Sequence, residues 1–110
     1  MAYDEELAAR IRELLAGEAG LTEKKMFGGL AFLIGGNMAV AASGQGGILL
    51  RVDPADSDLL VADGEASLAV MRGRPMQGWL RIETSDLGDP SALKRWVGLG
   101  VAYARSLPPK

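Results

Sequence analysis

The chain carries no charged residue from Met26 to Leu50, and Gly28, Gly29, Gly35, Gly36, Gly44, Gly46 and Gly47 punctuate that run. The stretch exceeds the ~20 apolar residues that cross a bilayer as a helix. Its glycines exclude that solution, because together with Asn37, Ser43 and Gln45 they mark closely spaced turns. Short buried strands joined by tight turns account for the same hydrophobicity. Residues 24–34 are predicted as one long strand, with a bulge at Gly28-Gly29. Gly35-Gly36-Asn37 supplies a tight turn into a second strand over 38–42, and Gly44 to Gly47 turns again into a third over 48–52. Ile48, Leu50 and Val52 then share one face with Leu49 and Arg51 on the other, the alternation of a sheet covered mainly on one side.

Helix signals flank this region. Leu7, Ile11, Leu14 and Leu15 give residues 4–16 an apolar stripe; Asp4 is placed to cap it, and Glu6 sits one turn before Arg10. Asp53-Pro54 is a cap followed by a proline at the first helical position, and it predicts a short helix over 54–62 ending at Gly64. A short fourth strand follows at 67–71. Residues 76–83 form the fifth, with Leu80 and Ile82 inward and Gln77, Trp79, Arg81 and Glu83 outward. Asp89-Pro90 repeats the helix start, and Leu93, Trp96, Val97, Val101, Ala104 and Leu107 mark a closing amphipathic helix. Trp96 on that stripe is a core residue. Gly98 and Gly100 each weaken the helix by about 1 kcal/mol relative to Ala, a cost tolerated where a helix lies close to a sheet. The order helix, three strands, helix, two strands, helix predicts one α+β domain over 1–110: a two-layer sandwich whose mostly antiparallel five-stranded sheet has its helices on one face.

At 110 residues and 48% apolar, the chain suits a single core. It has no cysteine, which removes disulfides and thiolate metal sites, and no histidine, which removes the usual general base and imidazole ligand. The acidic residues concentrate at helix starts, where the helix dipole explains them, so no acid–base pair stands out. Met26-Phe27-Gly28-Gly29 lacks the Lys-Ser/Thr of a phosphate loop, and Gly44 to Gly47 opens into a strand rather than a helix. Neither a catalytic activity, a cofactor nor a metal is expected. The first residues, Met-Ala-Tyr-Asp-Glu-Glu, show no export pattern, so a cytoplasmic protein without membrane association is expected.

The net charge of −2 gives no general attraction to nucleic acid. Its distribution is uneven, however: residues 24–52 and 66–82 contain no acid but carry Lys24, Lys25, Arg51, Arg72, Arg74 and Arg81. The run Arg72-Gly-Arg-Pro75-Met-Gln-Gly-Trp79 sets two guanidiniums beside a rigid proline and an outward-facing indole. Two readings of its arginines stand side by side. They pair with Asp53, Asp56 or Asp58 at the nearby helix start, or they clamp an anion or partner, for which the planar fork of Arg is suited. The candidate binding residues are therefore Arg51, Arg72, Arg74, Trp79 and Arg81, with Lys24 and Lys25 extending a basic patch. Trp and Arg are enriched at interface hot spots, which favours a protein partner or a second copy of the chain on the open sheet face. Direct binding of nucleic acid or a small anionic ligand is the alternative.

At Lys-Lys-Met-Phe-Gly-Gly (24 to 29), Leu-Arg-Val-Asp (50 to 53) and Gly-Arg-Pro-Met (73 to 76) the sequence resembles the N-terminal domain of the TfoX/Sxy family of bacterial competence regulators. The order and spacing of all three motifs match, and the resemblance runs from the first helix to the last. Full-length members carry a second, C-terminal helical domain, so a stand-alone N-terminal domain is expected here. Trp79 stands alone where many relatives have paired aromatics. The resemblance implies a transcription-linked role, alongside a regulator of the cAMP-receptor type, and no enzymatic activity.

Overall fold

Asp4 starts the first helix, α1 (Glu5–Leu14), by accepting a 3.1 Å hydrogen bond from the Leu7 amide. This satisfies one of the amides that a helix start leaves unpaired. The computed structural model describes residues 3–26, 28–62, 64, 66–71 and 73–109. After α1 come β1 (Leu21–Met26), β2 (Gly29–Ile34), β3 (Asn37–Ala42) and β4 (Ile48–Arg51). A 3-10 turn (Pro54–Asp56) leads into α2 (Ser57–Val61), then β5 (Ser67–Met71), β6 (Arg74–Ile82), a second 3-10 turn (Thr84–Leu87) and α3 (Pro90–Ser106). Asp53 and Asp89 cap the Pro-initiated segments through the amides of Ala55 and Ser91, both at 2.9 Å. The six strands form one sheet in the order β1-β2-β3-β4-β6-β5, every pair antiparallel.

Six strands replace the expected five because the run over 24–34 is two strands and not one. Gly28, at φ 76°, lies in the reversal between them, and β1 folds back on β2 from Leu21 opposite Ile34 to Met26 opposite Gly29. A left-handed residue flanked by apolar sequence reads equally as a bulge or a turn, and the turn prevails. Phe27 lies outside the described residues. Two register shifts sit elsewhere: β2 and β3 change register between Phe32 opposite Val40 and Leu33 opposite Met38, and β5 and β6 between Leu68 opposite Leu80 and Ala69 opposite Met76, where Gly78 adopts φ 87°. The ladder of β6 also starts earlier than expected, so that Pro75 lies within it opposite Val70.

The ladders assign each residue to a face. Glu23, Phe32, Val40, Leu50, Leu80 and Leu68 form one transverse row, and Lys24, Ala31, Ala41, Leu49, Arg81 and Ser67 the next. The first row faces the helices. Phe32, Val40, Leu50 and Leu80 are fully buried there against Leu7, Ile11 and Leu15 at α1 and Leu93, Trp96, Val97, Val101 and Ala104 of α3, with Leu60 and Val61 of α2 at the margin. Trp96 is core as expected, with Arg95 4.9 Å from its ring centroid; its buried indole Nε1 has no hydrogen-bond partner among the described residues. Of the two α3 glycines only Gly100 is pressed on the sheet, since nothing lies within 4 Å of a Cβ built at Gly98. No helix among the described residues is long and apolar enough to cross a membrane.

Arg12 of α1 clamps Glu23 of β1 through two bonds, Nε to Oε2 at 2.8 Å and Nη2 to Oε1 at 2.9 Å. These hydrogen bonds, with the opposite charge adding to them and partial burial opposing, hold the Glu23 carboxyl below its ordinary range. A depressed carboxylate contributes stability above its unfolded pKa, and that contribution is lost as pH falls through the folded value. An NMR titration is expected to find Glu23 titrating lower than an unpaired glutamate, and Arg12→Ala to move it back up. The pair is largely exposed, so the stability change should be small.

Candidate functional site

All three helices pack on one face, and the sheet's other face carries a second apolar cluster with no helix residue in it. Ala31, Met38 and Ala41 are buried at its centre, ringed by half-buried Met26, Leu33, Leu49 and Trp79. This arrangement follows from strand composition. β2 reads Gly-Leu-Ala-Phe-Leu-Ile and β3 Asn-Met-Ala-Val-Ala-Ala, apolar on both faces, a pattern that ordinarily belongs to strands covered on both sides. Here the helices among the described residues cover only one side. Between Met26 and Leu49 the surface dips into an apolar depression of about 40 Å³, floored by Ala31, Met38 and Ala41.

Arg51 and Trp79 border this cluster. They are direct cross-strand partners on β4 and β6. The Arg51 guanidinium stands 5.3 Å from the centroid of the Trp79 ring and 5.6 Å from that of Tyr103 on α3. Both lie within the ~6 Å over which a cation is drawn to an aromatic face, so the side chain is held against the indole rather than free in solvent. Trp79 owes its aim to the bulge before it. The Gly78 amide donates a 2.6 Å hydrogen bond to Ser57 Oγ and its carbonyl accepts from the Val52 amide at 2.9 Å, anchoring the kink to the α2 side.

The sequence-predicted residues separate into distinct settings. Arg51, Trp79 and Arg81 come together on the open face. Arg81 is already engaged: it donates to Ser43 Oγ (3.1 Å), to the Gln45 carbonyl (3.0 Å) and to Glu83 Oε1 (3.3 Å), bracing the turn between β3 and β4. Lys24 faces the open side in the row of Ala31, whereas Lys25 pairs with Leu30 and belongs to the helix-facing rows. Arg74 is exposed at the start of β6, and Arg72 lies outside the described residues. Asp53 caps Ala55, and Asp58 accepts from Gln77 Nε2 at 3.3 Å, which turns Gln77 toward α2 and away from the side expected from simple alternation. Met26, Gly28, Gly29 and Pro75 serve the framework, the first at the rim of the apolar cluster, the next two at the β1–β2 hairpin and the last within β6.

Sequence reasoning placed Leu49 on this face, opposite to Ile48 and Leu50, but missed Ala31, Leu33, Met38 and Ala41 as its companions in the open-face cluster. The signal was present in the two-sided apolar character of β2 and β3, combined with helices too few to cover two faces.

No curated protein and no solved structure gives a significant match to the chain. A family model does: that of the TfoX N-terminal domain matches residues 13–104, which include all three motifs and every residue of the open-face cluster. On that match the chain belongs to the TfoX N-terminal domain family.

Proposed function

We propose that this chain is a small non-enzymatic regulatory domain that docks a protein partner, a transcription regulator, on its open sheet face. The observation that carries this reading is the helix-free apolar cluster of Ala31, Met38, Ala41 and Leu49 bordered by Trp79 and Arg51. An apolar centre rimmed by an aromatic and a guanidinium has the composition of an interface core. The depression of about 40 Å³ is far smaller than the roughly 300–1,000 Å³ of small-molecule sites, which favours a broad partner over a cofactor. The division of Lys24 and Lys25 between faces, and the engagement of Arg81, leave less cation in one place than a phosphate-tracking surface uses.

The test is affinity capture from nuclease-treated native cytosol with wild type and with an Arg51→Ala, Trp79→Ala variant. A transcription regulator retained by wild type is expected to lose affinity for the variant by about thirtyfold or more, the cost of removing an interface hot spot. Equal retention by both would remove the open face from the reading. Binding that vanishes with nuclease would transfer it to nucleic acid.

A further inference from the structure

The two edges of the sheet are built differently. β1 at one edge displays Glu23, Lys24 and Lys25, the charges by which exposed edges resist pairing with other chains. β5 at the other edge reads Ser-Leu-Ala-Val-Met, with neither a charge nor a proline. Val70 in it is 68% exposed, and the elements packed around it expose Leu59 of α2 at 76% and Met76 of β6 at 37%. An uncharged edge strand presents outward-facing backbone N–H and C=O groups that another strand can satisfy.

We propose that β5 is a docking edge for a second copy of this chain, the two β5 strands pairing antiparallel about a two-fold axis centred on Ala69. Symmetry selects the occupant. A two-fold normal to the sheet keeps each side chain on its own face, and directly opposed residues share a face, so the axis must pass through a residue pair with itself. For β1, centring on Glu23 opposes two carboxylates and centring on Lys24 opposes two ammoniums, both destabilising. For β5, centring on Ala69 opposes Ala69 with its copy and sets Leu68 against Val70 of the partner subunit, twice by symmetry, with no charge facing any other. The exposed Val70 is thereby covered, and the two sheets become one. A strand this short buries less than the ~1,200 Å² of a standard interface, so the association is weak and concentration-dependent.

Sedimentation equilibrium over roughly micromolar to millimolar protein reads it directly. Wild type is expected to show a monomer–dimer equilibrium, and Val70→Lys to raise the dimer dissociation constant about tenfold or more. Lys24→Ala and Trp79→Ala should leave the dimer unchanged, which separates this edge from the open face. Amide exchange of Ser67–Met71 in wild type is expected to slow as concentration rises, a readout independent of any variant. Wild type that stays monomeric into the millimolar range, a dimer indifferent to Val70→Lys, or one abolished by Trp79→Ala would overturn the proposal.

Discussion

Gly100→Ala is expected to lower stability by about 1–3 kcal/mol, although Ala is intrinsically the better helix former by about 1 kcal/mol. A Cβ at this position meets the Ala39 carbonyl oxygen of β3 and stands 2.7 Å from Leu50 Cδ1. The first obstacle is backbone in a central strand and cannot swing aside, so α3 must lift from the sheet. Gly98→Ala, on the same helix with nothing within 4 Å, should do the opposite and stabilise by up to about 1 kcal/mol. In thermal unfolding each kcal/mol corresponds to roughly 4–8 °C for a domain of this size. Equal shifts for the two variants would show that α3 does not lie against β3 as described.

Gly29→Ala is the second large effect, a loss of about 1–3 kcal/mol. The added methyl meets the Ala42 carbonyl oxygen and approaches the Gly44 amide nitrogen to 3.2 Å. Gly44→Ala strikes the same junction from the other side, with its Cβ 2.7 Å from the Gly28 carbonyl oxygen. Because both substitutions strain one backbone crossing, the double variant should cost less than the sum of the singles. Gly88→Ala, with open space around it and an ordinary φ, is the neutral control. Denaturant midpoints of the four variants check this, and strict additivity would place the two glycines in separate environments. The close approach of backbones thus accounts for the second glycine of the Met-Phe-Gly-Gly motif.

What was legible in the sequence follows from how local each signal is. The caps at Asp4, Asp53 and Asp89 act within three residues of themselves, and all three form as read. The stripe of α3 from Leu93 to Ala104 and the alternation of Ile48, Leu50 and Val52 are equally local, and both face the core, whereas Leu107 lies past the helix end and outside the core cluster. The β1–β2 hairpin was hidden because β1 is an edge strand of polar residues with no apolar alternation of its own. The bulge at Gly78 was hidden because its support is distant: Ser57 and Val52 hold it across the fold. Arg81 reads on a strand as a free cation, and only the folded turn at Ser43 and Gln45 reveals that it is occupied. The open-face cluster is assembled from five strands by their registers, so no single segment announces it.

Site-specific photocrosslinking in living cells tests the open face most directly. A photoreactive side chain at Leu49, half-buried on that face, is compared with one at Ala102, exposed on α3. A discrete heterologous protein adduct at position 49, absent at 102 and lost when Trp79→Ala is added, is the expected result. No adduct at 49, or the same adduct at both positions, would contradict docking on the uncovered sheet.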